Sequence, residues 1–238
     1  GTVASDPANE KFQSMEFGVN YNSPKYAVKA SYYNTQWMDR NLTKSVTTGQ
    51  GSSGDTDVIF LTGVDQSHTG FEVEGSAQVI DMLRLDFAAS FGNWKFADDA
   101  SGNYQEYTDT GVKQTTYEYA LKDLWVGDMP QTGMVLGATV TPMDGLMAQL
   151  VINKYDKNYA DWSPAAREVK GGTADREQVW QAPGYTKMDL HAYYNLPMQV
   201  AGANLTVFLH AFNLGDAVYI QDAVDNSQYN AHDKDHDS

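Results

Sequence analysis

The feature that most constrains the fold is a strict two-residue alternation of side chains, kept over unusually long stretches. In residues 131–141 the even positions from 134 to 140 are Met, Leu, Ala and Val, whereas the odd positions from 133 to 139 are Gly, Val, Gly and Thr. The turn sequence Pro-Met-Asp-Gly follows at 142–145, and the alternation resumes in 146–153. Since successive side chains of a strand point to opposite faces, this stretch predicts a hairpin with one apolar face.

The same alternation recurs along the chain and predicts eight strands in four hairpins. The predicted strands are 14–21, 26–33, 71–79, 84–91, 131–141, 146–153, 187–194 and 205–212. The absence of a helical period, together with 15 Tyr, 5 Trp and 9 Phe, also favours strands.

The connections between the strands are of two kinds, and the two kinds alternate. Short connections lie near 22–25, 80–84, 141–146 and 196–204, and long ones rich in Gly, Ser, Thr, Asp and Asn lie near 39–57, 97–130 and 161–182. All short turns then lie at one end of the sheet. This organisation is typical of outer-membrane barrels, so we predict an all-β fold: an antiparallel transmembrane β-barrel segment with short periplasmic turns and long extracellular loops.

One face of such a wall contacts lipid, and the other faces the water of the lumen. The positions predicted to face lipid are Phe87, Met134, Leu136, Val140, Leu146, Leu150, Ile152 and Val207. Tyr21, Tyr26, Tyr32 and Tyr194 fall near strand ends on the same face, which suits an interfacial aromatic girdle. Only every second strand residue needs to be apolar, and this explains a mean hydropathy of only -0.49.

A soluble β-sandwich also alternates, and a carbohydrate-binding sandwich is the soluble alternative. Sandwich strands are usually only about 5–6 residues long, and the sandwich fold does not require short and long connections to lie at opposite ends of the sheet. The net charge of -15 argues against nucleic acid as a partner. No apolar run is long enough for a transmembrane helix, and the absence of cysteine excludes disulfides and thiol chemistry.

Both ends of the chain are expected on the side of the long loops. An open eight-stranded sheet would leave two unpaired edges in lipid, which is not tolerated. We therefore expect residues 1–238 to be a partial barrel, with further strands before Gly1 and after Ser238.

Six segments, taken in order, carry a family resemblance. They are 32–40 (YYNTQWMDR), 68–74 (HTGFEVE), 126–132 (VGDMPQT), Tyr155 with 159–161 (YAD), 182–185 (APGY) followed by 188–191 (MDLH), and 212–216 (FNLGD) followed by Tyr219. Together they resemble the C-terminal part of the barrel of TonB-dependent outer-membrane receptors, and look most like those of Bacteroidetes-type bacteria.

The resemblance implies a barrel of about 22 strands in the outer membrane of a Gram-negative bacterium, filled by an N-terminal plug. It also implies energised import of a scarce nutrient: a ferric siderophore, haem, cobalamin or an oligosaccharide. The implied partners are outer-membrane lipid, the nutrient, the TonB complex through an N-terminal part that this sequence lacks, and a surface lipoprotein. The plug, the earlier strands and the final strands are expected to be missing. No cofactor and no catalytic residue are expected.

A passive porin, a structural outer-membrane protein and a membrane-embedded hydrolase are the membrane alternatives.

Aromatic residues at the strand tops and in the long loops are the candidates for ligand binding, because rings there can stack on a sugar or an aromatic siderophore. They are Trp94, Tyr104, Tyr107, Tyr117, Trp162 and Trp180. Packing between loops is the alternative role for each of them.

Three sites have residue types that bind metals. His191 and His210 lie on the polar faces of neighbouring predicted strands, where they form either a metal pair or two solvated histidines. Residues 98–103 are weakly similar to a calcium loop but lack its spacing and its terminal Glu. The tail 231–237 contains two histidines and three aspartates, and we expect a solvated loop with, at most, loose cation binding.

Overall fold

The computed structural model describes residues 9–48, 55–108 and 111–225. In chain order the elements are β1 (Lys11–Asn22), β2 (Tyr26–Met38), β3 (Leu42–Thr48), β4 (Asp55–Thr62), β5 (Gln66–Ile80), β6 (Leu83–Phe96), β7 (Ala100–Thr108), β8 (Gly111–Tyr119), β9 (Thr132–Met143), β10 (Leu146–Asp156), β11 (Asn158–Tyr159), β12 (Asp161–Trp162), the one-turn helix α1 (Pro164–Arg167), β13 (Gln181–Ala182), β14 (Tyr185–Val200), β15 (Ala203–Ala211) and β16 (Val224–Asp225). Among the described residues, no helix is both long and apolar enough to cross a membrane.

The eight predicted strands form one antiparallel sheet, in the order β1-β2-β5-β6-β9-β10-β14-β15. Strand β14 reaches 16 residues, and most of the others have 11 or more. Within the described part of the chain, β1 and β15 do not pair with each other, so the sheet is an open part of a barrel. The predicted fold class is therefore confirmed.

The register keeps the apolar side chains on one face of this sheet, which we call the apolar face. Leu136 on β9 lies directly opposite Phe87 on β6 and Ile152 on β10. Leu136 is 59% exposed and Val207 is 58% exposed, although both are large and apolar. Phe87, Met134, Val140 and Leu150 are exposed as well, and Leu146 and Ile152 are partly exposed. Contact of this face with lipid stays a prediction, and the exposure is what such contact requires.

The predicted short turns are present. The turn between β9 and β10 has Gly145 at φ +81°, a conformation that glycine adopts without strain. A Cβ on Gly145 would also lie 2.7 Å from the carbonyl oxygen of Asn195. The Asp-Gly pair in the sequence was therefore a reliable signal for this reversal.

The long connections contain more structure than the sequence predicted. Segments 39–57 and 97–130 were predicted as loops, yet they contribute a second sheet in the order β3-β4-β7-β8. Their strands contain Thr and Val but little alternation of apolar and polar positions, so the pattern used for the large sheet could not detect them. We call residues 39–48, 55–65, 97–108, 111–131, 157–184 and 212–225 the loop layer.

The buried hydrophobic core lies in the loop layer rather than in the large sheet. Trp162 packs there against Tyr119 and against Phe96, the last residue of β6, with ring centroids 5.7 and 6.4 Å apart. Leu121 and Leu124 are also completely buried in this cluster. A sheet with lipid on one face and water on the other needs no core of its own, whereas loops of this length do.

Candidate functional site

The face opposite the apolar face carries the polar and charged side chains, and we call it the polar face. Ser31, Glu72, Ser90, Gly133 and Tyr155 are cross-strand partners in a row that crosses five strands of the sheet. Further rows on this face place Lys29 beside Glu74, with 3.8 Å between the amine nitrogen and the nearer carboxylate oxygen. A continuous polar surface of this kind is what a water-filled lumen requires.

A cavity of about 480 Å³ opens on the polar face of β1, β2, β5 and β6, towards the loop layer. We call it the aromatic pocket. Its lining residues are Phe12, Ser14, Glu16, Tyr33, Thr35, Trp37, His68, Glu72 and Trp94. Its size and its aromatic lining are those of a small-molecule site. A larger cavity of about 750 Å³ lies among the short turns, where its described lining includes no aromatic ring.

Two glycines give the pocket its shape. A Cβ placed on Gly70 would lie 2.3 Å from the phenol oxygen of Tyr33, so the Tyr33 ring lies flat across Gly70. A Cβ on Gly92 would similarly lie 2.9 Å from the Trp94 ring. Because both rings lie over glycines, they meet, and the Trp94 indole N–H donates to the Tyr33 phenol oxygen over 2.8 Å.

The side chain of Gln131 holds Trp94 in place. Its amide oxygen accepts from the Trp94 backbone N–H over 2.9 Å, and its amide nitrogen donates to the Trp94 carbonyl over 3.1 Å. The same nitrogen also donates to the carbonyl of Val126. Gln131 is only 1% exposed, so this clamp is shielded from competing water.

The chemistry of the pocket is aromatic and acidic. The His68 ring lies 5.5 Å from the Trp94 ring, centroid to centroid. Glu16 and Glu72 also face the pocket, and within the described ranges neither has an ion-pair partner. Ring faces attract the C–H surfaces of sugars and cationic groups, and the two carboxylates accept hydrogen bonds or pair with positive charge. Such a pocket suits a neutral, hydroxyl-rich or cationic ligand.

The six aromatic residues predicted to bind ligand differ in their placement. Trp94 lines the aromatic pocket. Trp162 is 1% exposed inside the loop-layer core, and Tyr117 packs against that core, so the alternative of packing between loops describes both. Trp180 is partly buried beside β13, and its carbonyl accepts from the Ala160 N–H. Tyr104 and Tyr107 lie on β7, and their side chains fall outside the described part of the structure.

The weak similarity to a calcium loop does not correspond to a cation site. The Asp99 carboxylate accepts from the guanidinium of Arg176 over 2.6 and 2.9 Å, and also from the backbone N–H groups of Leu121 and Lys122. The Arg176 hydrogen bond is the main reason why the pKa of Asp99 falls to about 2. Asp98 pairs with the Lys122 amine. Among the described residues, no group of three or more His, Asp or Glu is placed to hold a metal.

Asp99 predicts acid sensitivity of the loop layer. A depressed carboxyl pKa adds stability above the unfolded-state pKa of 3.8, and that contribution is lost as the pH falls towards 2. Measured relative to an unfolded substrate in the same solution, which corrects for the pH dependence of the protease, we expect pepsin to cleave segment 97–130 progressively faster from pH 4 to pH 2, and Asp99→Asn to abolish most of this increase. Asp98→Asn is the matched control, because its partner Lys122 is more than half exposed. An Asp99→Asn protein that kept the full pH dependence would contradict the assignment.

The two strand histidines come together as their register predicted. His191 and His210 are direct cross-strand partners, and their Nδ1 atoms lie 2.7 Å apart. The tail 231–237, with its two further histidines, lies outside the described residues.

Comparison with known proteins identifies the family. The family model described as TonB dependent receptor-like, beta-barrel, matches residues 3–214. The chain belongs to this family. A search of curated proteins finds no match. Among solved structures, the copper transporter OprC superposes with a TM-score of 0.58 at 16% identity, over 93% of this chain and 28% of OprC.

Family membership decides between the two folds considered from the sequence. The likeness to OprC supports the fold alone at this identity, and it agrees with the family model that the large sheet is part of a barrel wall. The soluble β-sandwich is therefore rejected. The chain spans well under a third of the length of OprC, so the activity of a whole receptor goes beyond what the comparison establishes.

Proposed function

We propose that this chain forms part of the wall of a TonB-dependent transporter in the outer membrane of a Gram-negative bacterium. In this proposal the apolar face contacts outer-membrane lipid, and the polar face lines a lumen that also holds a plug. The observation that carries the proposal is the combination of an exposed apolar face with a shaped aromatic pocket on the opposite face. A passive porin needs the exposed apolar face but does not need the aromatic pocket. TonB supplies the energy through a part of the receptor outside residues 1–238.

The aromatic pocket favours some of the expected nutrients over others. Glu16 and Glu72 repel ligands rich in carboxylate, such as haem propionates and many ferric siderophores, when the ligand approaches within about 8–10 Å. Tyr33, His68 and Trp94 supply the ring surfaces on which a sugar stacks. We therefore propose a neutral oligosaccharide or a cationic compound as the nutrient. A surface lipoprotein that captures an oligosaccharide is the partner consistent with this choice.

The test is uptake by cells that express the protein as its gene encodes it, in otherwise identical strains with and without TonB. The panel contains an oligosaccharide mixture, cobalamin, haem, a ferric siderophore and copper(II), the last because OprC is described as a copper transporter. We expect accumulation of one panel member that disappears without TonB. Uptake that is unchanged without TonB would instead support the passive porin. Labelling of the protein by a reactive-serine probe would support the hydrolase.

A substitution of Trp94 tests whether the aromatic pocket takes part. Trp94→Ala removes one of the two indole rings of the pocket, and we expect it to weaken binding of the transported compound by about tenfold, which corresponds to about 1.4 kcal/mol. Binding is measured by titration of the purified protein in detergent. Phe91→Ala is the matched control, because Phe91 lies on the same strand but on the apolar face and is 42% exposed. Equal affinities of the two variants would place the ligand elsewhere.

A further inference from the structure

A pair of histidines lies on the polar face of β14 and β15, away from the aromatic pocket. His191 and His210 face each other with 2.7 Å between their Nδ1 atoms, and their ring planes are inclined at 63° with centroids 5.0 Å apart. The contact is possible only if one Nδ1 carries a proton and the other presents its lone pair. With that proton on Nε2 of its own ring instead, both Nδ1 atoms present lone pairs to the space between the two rings.

The spacing of the two nitrogens is close to what a bound metal requires. Imidazole nitrogens bind first-row metal ions at about 2.0–2.1 Å, so two of them in neighbouring positions of a square-planar ion lie roughly 2.9 Å apart. The observed pair needs to open by only about 0.2 Å, which small rotations about the side-chain bonds of two facing strand residues provide. The backbone partners are fixed by the ladder between β14 and β15, so the site is largely preformed.

The outer nitrogen of His210 has a supporting partner. The Tyr193 phenol oxygen lies 3.5 Å from His210 Nε2 and is its hydrogen-bond partner. When His210 Nδ1 presents its lone pair, Nε2 carries the proton and donates to this oxygen. Such outer-shell partners fix the tautomer and the orientation of histidines that bind metals.

The surroundings select the kind of ion. The rings of Phe208, Phe212 and Tyr193 lie 5.3–6.1 Å from the His210 ring, and Phe212 also contacts His191. Asp189, the nearest acid along β14, is engaged by the Asn213 N–H and lies 3.4 Å from the Lys187 amine. A site with two imidazoles and no free carboxylate excludes calcium and magnesium, which need oxygen ligands. Among first-row divalent ions, nitrogen ligands favour copper most strongly.

We propose that His191 and His210 form a two-imidazole site for copper(II), with weaker binding of nickel(II) and zinc(II). Among the described residues these two histidines are the only protein ligands at this point, so the remaining coordination positions stay open to water or to donor groups of a metal complex. An ion held in this way exchanges readily, as expected of a transient binding site on a lumen wall and not of a structural metal centre. The proposal does not depend on which nutrient the receptor transports or on energy supplied by TonB.

The test uses the protein as its gene encodes it, purified in detergent and titrated with copper(II), nickel(II) or zinc(II) chloride. His232→Gln and His236→Gln are introduced throughout, so that the tail does not contribute. We expect His191→Gln and His210→Gln each to weaken copper(II) affinity by at least about tenfold, since loss of an outer-shell partner alone has an effect of that size. His68→Gln is the matched control for metal affinity, because His68 pairs with Gln66 rather than with another histidine.

Electron paramagnetic resonance of the copper(II) complex gives a second readout, independent of affinity. Hyperfine coupling from two imidazole nitrogens is expected in the parent protein and from one in either variant. Unchanged affinity in both variants, or a parent spectrum without imidazole nitrogen, would overturn the proposal. Near-ultraviolet circular dichroism establishes that the glutamine variants fold. Because both measurements are made without cells, their outcome is separate from that of the uptake experiment.

Discussion

Arg167→Met is expected to destabilise the loop layer by about 3–5 kcal/mol, the range found when one partner of a buried ion pair is removed. The guanidinium of Arg167 donates to the Asp225 carboxylate over 2.6 Å and to the Glu177 carbonyl over 2.7 Å. The two paired side chains are only 1% and 2% exposed. Methionine fills most of the volume but removes the guanidinium that pairs with the buried Asp225 carboxylate. The Arg167 backbone also accepts from the Ala120 N–H, so the effect extends to β8.

The measurement is hydrogen exchange followed by mass spectrometry, which reports local opening free energies for segments 157–184 and 212–225. Two controls separate the charge from the packing. The double variant Arg167→Met with Asp225→Leu removes both charges, and we expect it to recover most of the protection. Lys122→Met breaks an exposed pair with Asp98, for which we expect less than about 1 kcal/mol. Unchanged exchange in the single Arg167 variant would mean that the pair does not hold the loop layer together.

The large sheet could be predicted from the sequence because its physical constraint acts on every residue. A barrel wall with lipid on one side and water on the other imposes a period of two, and a slip of one residue would exchange the faces of Leu136 and Gly137. The turn at Gly145 adds an independent local signal. Pattern and turn chemistry therefore agreed on all eight strands, although β5 and β14 extend well beyond the predicted bounds.

The loop layer could not be predicted in the same way. Its sheet is short and partly polar, and its core is assembled from residues far apart in sequence, such as Leu61, Phe96 and Trp162. No periodicity links such positions. Trp162 was therefore grouped with the ligand-binding candidates, although it supplies the centre of a core. Arg167 had no sequence signal, because nothing near α1 shows that Asp225 pairs with it.

The aromatic pocket could be predicted from the sequence only in part. Trp94 was predicted from its place at a strand top, but Tyr33 and His68 were missed as members of the same site. The missed signal was the pair Gly70 and Gly92 on neighbouring strands, since a glycine on a polar face leaves room for a nearby ring to lie flat. The ring of Tyr33 reaches Gly70 from the adjacent strand, and the ring of Trp94 covers Gly92 from two residues along the same strand. Recognising it requires the cross-strand register, which the sequence fixes only after the hairpins are known.

Leu136→Arg is expected to destabilise the barrel by about 2–4 kcal/mol, the range for an arginine near the midplane on a lipid-facing wall. Leu136 lies in the middle part of β9, flanked by Phe87 and Ile152 on the same face, so no water-facing position is within easy reach of the new guanidinium. If the apolar face contacted water instead of lipid, Leu136→Arg would not destabilise the protein. An arginine on a surface position that is 59% exposed would be harmless or would improve solubility.

Gly137→Ser is the matched control, one residue along the same strand but on the polar face. Gly137 is buried, but a Cβ there would lie 3.4 Å from the Asp86 side chain, an ordinary contact, so we expect a change of no more than about 1 kcal/mol. Both variants are made in the protein as its gene encodes it and are compared by reversible urea unfolding from lipid vesicles. If Leu136→Arg lowers the free energy of unfolding strongly and Gly137→Ser changes it little, the apolar face contacts lipid. If the two variants were equally stable, that face would be covered by protein or water instead, and the lipid-facing assignment of the whole row from Phe87 to Ile152 would fail with it.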